Sequence, residues 1–246
     1  MENLPKLAIV GYGAMGRAIE TLAKEQAFVI SNIFDIDSKL NSAENYDFDV
    51  AIEFTAPDQV IENIKSIAKL HKNIVVGTTG WLDKLDEVRK IVSEAGIGLV
   101  YSTNFSIGMQ MFFRIVRNAA ALMNKTDGYD IMLNEMHHHR KKDSPSGSAK
   151  TLANIILEEV DTKTTILDDT ARSQIGKEML HLTSTRGGEI FGKHSIYIDS
   201  LADTIELKHN AKNRYGFATG ALQAAKWIFA KKGIYDFSDY LELMWK

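Results

Sequence analysis

Cysteine is absent from this 246-residue chain. That excludes disulfides, thiolate nucleophiles, iron–sulfur clusters and cysteine-ligated zinc together. Proline is scarce, at three residues, so no proline-rich linker marks a hinge between domains. No apolar run approaches the ~20 residues of a membrane-spanning helix. The opening residues, MENLPKLAIVGYG, lack a basic stretch followed by a long apolar one, so no secretory leader is read there. Positive charge is not in excess either. The 29 Lys and Arg residues face 32 Asp and Glu, a formal net charge of -3, and no global field exists to hold nucleic acid or an anionic membrane. Any anion must be recognised locally. A soluble, cytoplasmic protein without nucleic-acid or membrane partners is expected.

What is present is an ordinary globular composition, 45% hydrophobic and 25% charged, which argues against disorder and against a coiled coil. The first hundred residues alternate β-rich runs (6–10, 28–34, 50–54, 74–76 and 98–101) with amphipathic stretches near 14–25, 57–70 and 81–95. Near-continuous apolar strands separated by helices predict a parallel sheet covered on both faces. Pro57 is placed to open the second helix, where its missing N–H costs little. After residue 101 the pattern changes. A helical segment over 108–123 leads to a strand over 131–137, a polar loop and a helix over 148–159. Strand candidates at 178–185, 189–198 and 203–209 then follow without helices between them. That run predicts a separate α+β domain with a mixed or antiparallel sheet. A helix over 217–231 and a short helical tail close the chain.

Chemistry enters first at residues 7–20, LAIVGYGAMGRAIE. Gly11, Gly13 and Gly16, with Tyr12, Ala14 and Met15 between them, have G-x-G-x-x-G spacing at a strand-to-helix turn. In a dinucleotide-binding unit the first glycine makes the turn and the second admits the pyrophosphate. The third lets the helix pack on the strand. Asp35 follows at the end of the second strand, where an acid contacts ribose hydroxyls; it favours NADH, because a carboxylate repels a 2′-phosphate. Lys39 keeps NADPH open. Gly77, Thr78 and Thr79, in VGTTGW, fall at a later strand end and are placed beside the nicotinamide ribose. The alternatives are an unliganded glycine turn, ordinary strand-end acids at Asp35 and Asp37, and a simple turn at the threonines.

Residues 135–149, EMHHHRKKDSPSGSA, hold three histidines and three cations in six consecutive positions. A solvated basic loop is one reading. A metal site with His137 and His139 on one strand face is another, although no obvious ligand set completes it. The third is an anion-binding catalytic loop. In it the N–H groups of Gly147 and Ser148, with the Ser148 hydroxyl, cradle a carboxylate at a helix start. Lys141 adds a point charge, and a histidine supplies a proton.

Together the glycine loop, VGTTGW, STNFSIGMQ (102–110), EMHHHRKKDSPSGSA and STRGGEIFGKH (184–194) resemble the dihydrodipicolinate (4-hydroxy-tetrahydrodipicolinate) reductase family of bacterial lysine biosynthesis. The stretch E-x-H-H-x-x-K-x-D-x-P-S-G-[TS]-A is matched at every fixed position. The resemblance implies reduction of a small cyclic imine dicarboxylate with NADH or NADPH. It implies His137 as proton donor or acceptor, Lys141 as second proton donor, and substrate contacts from His138, Lys141, Gly147 and Ser148. Cofactor contacts are implied for Gly11–Gly16, Asp35, Gly77–Thr79, Ser102, Thr103, Asn104 and Phe105. Arg186, in the family's RGG stretch, is taken as supporting structure, and no metal is implied.

The fold implied is α/β, with a Rossmann-type parallel-sheet domain from 1–104 plus 217–246. A mixed-sheet substrate-binding and tetramerisation domain spans 105–216, in a homotetramer whose domains close over the ligands. Three departures stand out. The glycine loop is the short form. Ile36 takes the place of the arginine that often follows the ribose-binding acid, which weakens an NADPH preference, and Ser148 replaces threonine.

Overall fold

Short apolar strands alternate with amphipathic helices through the first hundred residues of the computed structural model, which describes residues 4–245. These are β1 (Leu7–Val10), α1 (Ala14–Glu25), β2 (Ile30–Phe34), β3 (Val50–Glu53), α2 (Val60–Lys69), β4 (Asn73–Val76), α3 (Leu85–Ala95) and β5 (Gly98–Tyr101). Then come α4 (Ile107–Met123), β6 (Asp130–His137), α5 (Gly147–Glu159), β7 (Thr165–Leu167), β8 (Met179–Arg186), β9 (Lys193–Asp199) and β10 (Thr204–Asn210). The chain ends with α6 (Tyr215–Ile228), β11 (Gly233–Asp236) and α7 (Phe237–Met244). The described residues up to Ile107, with those from Arg214 onward, form one compact unit; Gly108–Asn213 forms the other. No helix among the described residues is long and apolar enough to cross a membrane.

In the first unit the strands lie in the order β11-β5-β4-β3-β1-β2, all paired in parallel. Alternate strand residues feed two cores. Leu7, Ile9, Val75 and Val100 pack with α1 and α6, whereas Ala8, Val10, Ile74, Val76 and Leu99 pack with α2 and α3. Strands that must be apolar on both faces read as continuous hydrophobic runs. The chain leaves β1 to build β2 on one side and β3 on the other. This is the switch point at which open α/β sheets bind ligands.

Several local expectations need correction. Pro57 does not open α2: residues 56–59 form a turn in which Gln59 and Val60 donate to the Ala56 carbonyl, and the helix begins at Val60. The closing segment holds the edge strand β11 before its last helix, and the short β7 adds a strand beyond those expected.

In the second unit the order is β10-β9-β6-β8-β7. β6 and β7 pair with β8 in parallel, while β9 pairs antiparallel with β6 and β10. Phe112, Phe113 and Val116 of α4 and Leu152 and Ile156 of α5 cover one face, meeting Ile131, Leu133, Leu180, Leu182, Ile196 and Ile198. The opposite face carries Met132, Asn134, Thr183 and Tyr197, and no described element of this unit covers it.

Gly16 is where α1 touches its own strand. A Cβ there would stand 2.3 Å from the Gly11 carbonyl oxygen, whereas one on Gly13 would meet nothing within 4 Å. Gly16→Ala is therefore expected to lose about 1–3 kcal/mol in urea unfolding, and Gly13→Ala to leave stability unchanged or slightly raised. Equal losses would contradict this packing.

Candidate active site

The glycine loop is a turn followed by an open helix start. Gly11 has φ +93°, and a side chain there would strike the Phe54 carbonyl oxygen at 2.2 Å. Gly13 is the N-cap of α1 and makes no side-chain capping bond; no acid stands in the first turn. Ala14, Met15 and Gly16 form that turn. Tyr12 hydrogen-bonds Glu20 and takes the Arg17 guanidinium over its ring at 5.1 Å. Open space at Gly13 and a helix start uncapped by side chains suit a pyrophosphate. Asp35 follows β2 in an exposed turn closed by mutual backbone bonds with Ser38, and Ile36 beside it is 82% exposed.

The ends of β3, β4 and β5 lie on the same edge. Glu53, fully buried at the end of β3, accepts from the Thr55 amide at 3.2 Å, from Asn63 Nδ2 at 3.2 Å and from the Thr55 hydroxyl. Burial pushes its carboxyl up against these hydrogen bonds. Thr78 is also buried, and its hydroxyl accepts from the Thr55 amide at 2.8 Å, so it ties two loops together; Thr79 beside it is exposed. After β5, Ser102 and Asn104 are buried and bonded to each other's segment, while Thr103 is exposed. Phe105 turns its ring into the core against Phe237, centroids 4.8 Å apart.

In the second unit one end of the helix-covered sheet face turns from apolar to ionisable. On β6 the alternation carries Ile131 and Leu133 into Glu135 and His137; on β8, Leu180 and Leu182 into Ser184 and Arg186; on β9, Ile198 and Ile196 into His194. Register pairs Glu135 with Ser184 and His194, and His137 with Arg186. Glu135 is fully buried. Its Oε1 accepts from Arg186 Nη2 at 2.7 Å, Ser184 Oγ at 2.9 Å and the Ser146 amide at 3.0 Å. Its Oε2 stands 2.6 Å from His137 Nδ1 and 3.9 Å from His194 Nε2. The 2.6 Å contact has ion-pair distance but lacks hydrogen-bond alignment. Burial opposes the charge on Glu135, yet His137, Arg186, Ser146 and Ser184 together hold its carboxyl well below the usual carboxylate range.

The loop after β6 is fastened to this group. Arg186 Nη2 also donates to the Asp143 carbonyl at 2.8 Å, and Lys141 Nζ pairs with Asp143 Oδ1 at 2.8 Å. The His138 amide donates to Ile190 O at 2.7 Å. Ser146 caps α5 by accepting from the Ala149 amide at 3.2 Å, which leaves Gly147 and Ser148 as the first two helical residues. His137, Lys141 and the Gly147–Ser148 start thus converge through Glu135, Arg186 and Asp143. His139 does not join them: it is exposed, with Nδ1 3.3 Å from the Gly188 carbonyl oxygen.

Among the described residues, the group with metal-ligating proximity is Glu135, His137 and His194, not His137 with His139. Arg186 already sets a cation on that carboxylate, which works against a second positive charge. The sequence alone assigns no site role to Glu135, Ser184 or His194. Period-two alternation would have put Glu135 on the face of His137, and a buried carboxylate requires a cationic partner.

Burial and neighbouring His137 push the His194 imidazole from 6.5 down to about 4. Between those values the unfolded chain binds the extra proton. Stability is therefore full above about pH 6.5 and falls towards pH 4, by up to about 1.4 kcal/mol per pH unit. The depressed Glu135 acts with the same sign in a lower window, its contribution being lost as pH falls below the ordinary carboxylate range. Urea unfolding across pH is expected to show the upper window flattened in His194→Gln. A variant that kept the full wild-type slope would contradict the assignment.

Comparison with known proteins finds relatives along the whole chain. The family model for the N-terminal part of dihydrodipicolinate reductase matches residues 5–105, and that for its C-terminal part matches residues 108–241. A 4-hydroxy-tetrahydrodipicolinate reductase of Christiangramia forsetii is 34% identical over 98% of this chain and 99% of its own length. One of Methanoregula boonei is 39% identical over 79% of this chain and 75% of its own. A dipicolinate-bound dihydrodipicolinate reductase from a Paenisporosarcina species shares the fold at TM-score 0.72, with 22% identity over 95% of this chain and 98% of its own. An amine dehydrogenase from Mycobacterium smegmatis shares it more distantly, at TM-score 0.56 and 11% identity over 95% of each chain. With both halves matched and a relative matched over nearly its full length, the chain belongs to the dihydrodipicolinate reductase family.

Proposed function

We propose that this protein reduces 4-hydroxy-tetrahydrodipicolinate, through dihydrodipicolinate after loss of water, to tetrahydrodipicolinate with NADH or NADPH, in the diaminopimelate route to lysine. The observation that carries this reading is one cluster, in a chain of this family, of a buried imidazole, a lysine-bearing loop and a helix start. In this reading the Gly11–Gly16 loop holds the pyrophosphate and Asp35 accepts from the adenine ribose hydroxyls. Gly77, Thr79 and the 102–105 segment line the nicotinamide side, with Thr78 fixing their loop from beneath. When bound, the reduced nicotinamide supplies a hydride to ring carbon C4.

The remaining work belongs to side chains of the second unit. Lys141 and His138, with the first amides of α5, hold a substrate carboxylate, and the helix dipole adds to that attraction. Lys141 exchanges its Asp143 partner for the carboxylate. His137 gives a proton to the reduced ring system, with Lys141 assisting. Asp35 followed by the exposed Ile36 supports NADH over NADPH, because nothing directly after the acid offers charge to a 2′-phosphate. Assembly as a homotetramer is supported by the uncovered sheet face of the second unit. A cytoplasmic location goes with a biosynthetic enzyme that carries no cysteine.

Loss of 340 nm absorbance with freshly generated dihydrodipicolinate precursor tests the reaction; no oxidation of either coenzyme by folded protein would end this reading. His137→Gln is expected to lower kcat by roughly 10²–10⁴-fold with little change in KM. A near-normal kcat would remove the proton role. Asp35→Ala is expected to raise the KM for NADH more than that for NADPH, and equal rises would dismiss the ribose contact.

A further inference from the structure

Two neighbours of the His137 ring act on different nitrogens. Glu135, two residues earlier on β6, faces Nδ1 with Oε2 at 2.6 Å. Gly192 lies at the other nitrogen: a Cβ there would stand 3.0 Å from Nε2 and 3.5 Å from Cδ2 of the ring. We infer that Glu135 and Gly192 are positioning residues for the proton transfer, Glu135 holding Nδ1 and Gly192 keeping Nε2 open as the atom that delivers the proton. The inference rests on His137 being the proton donor.

The two oxygens of Glu135 are already divided. Arg186, Ser184 and the Ser146 amide all donate to Oε1, so Oε2 is the oxygen left to the ring. An ionised carboxylate can only accept; at this ion-pair distance a small turn of the ring aligns an Nδ1–H with Oε2, so the inference puts the hydrogen of the neutral imidazole on Nδ1. Nε2 then holds the lone pair in the neutral ring and the second N–H in the imidazolium. During turnover the Nε2–H bond breaks and its electron pair stays on nitrogen. The proton bonds to the electron-rich substrate atom left by hydride addition. The imidazolium becomes a neutral ring that keeps its Nδ1 hydrogen and its partner. Nothing need rotate between the two protonation states.

Glu135 also accepts from the Ser146 amide, immediately before the Gly147–Ser148 start of α5. One carboxylate therefore sets both the proton donor and the proposed carboxylate cradle, and the test must separate the two. Glu135→Gln does so. Its amide oxygen can serve the three donors on Oε1, while its NH₂ faces Nδ1 and forces the ring hydrogen to Nε2.

For Glu135→Gln the expected result is a kcat lower by roughly 10²-fold or more, as for a wrong imidazole tautomer. The KM for substrate and the Kd for dipicolinate, used as a dicarboxylate probe, should change little. Gly192→Ala places a methyl against Nε2 and is expected to lower kcat at least about tenfold without weakening dipicolinate. Wild-type kcat in folded Glu135→Gln overturns the inference, and so does a loss confined to KM. If that variant does not fold, Gly192→Ala decides, and an unchanged kcat overturns the inference. A slow His137→Gln beside a fast Glu135→Gln refutes the positioning role alone, whereas a fast His137→Gln refutes the reading on which it rests.

Discussion

A single buried carboxylate organises the second unit. Glu135 is wholly out of solvent, and an ionised carboxylate in that position costs several kcal/mol in lost hydration unless it is paired and hydrogen-bonded. Arg186, Ser184, the Ser146 amide and the His137 ring meet that requirement. They arrive from β6, β8 and the start of α5, so the element that would carry the proton donor and the one that would hold the substrate are fixed to one group. Removing one partner of such a pair typically costs about 3–5 kcal/mol. That ties the shape of the site to the stability of the fold around it.

Both units follow one building rule. A strand apolar enough to enter a core continues past that core, and polar or ionisable groups stand on the extension. In the first unit β1 runs into the glycine turn, β2 into Asp35, β3 into Glu53 and β4 into the Gly77–Thr79 turn. In the second, β6 runs into Glu135 and His137, and β8 into Ser184 and Arg186. Rigid strands with packed faces set the direction of these groups, and short loops need only complete the arrangement. Thr55, Thr78, Asn63 and Glu53 show how such loops are braced from below by groups that need not touch a ligand.

The parts legible in the sequence were those whose signal is local. The glycine spacing, the apolar strand runs and the EMHHHRKKDSPSGSA stretch each carry their meaning within some fifteen residues. What escaped depends on distant partners. Arg186 meets Glu135 across 51 residues, and Gly192 meets His137 only because β9 pairs beside β6. The edge strand β11 is four residues, GIYD, with no alternation to set it apart from a helix end. Pro57 suits a first helical turn, yet the chain uses it in the turn before α2. The histidine run invited a metal pair of His137 and His139, but β6 ends at His137, and His139 belongs to the following turn.

The most direct test of this account is spectroscopic. Long-range ¹⁵N–¹H correlation spectra of the imidazoles, with His137 assigned by its loss in His137→Gln, report which ring nitrogen carries hydrogen on the alkaline side of the titration. The account predicts the Nδ1–H tautomer, with Nε2 showing the shift of an unprotonated nitrogen. An Nε2–H tautomer, or rapid averaging between the two forms, would contradict it, because Glu135 would then not be setting the ring.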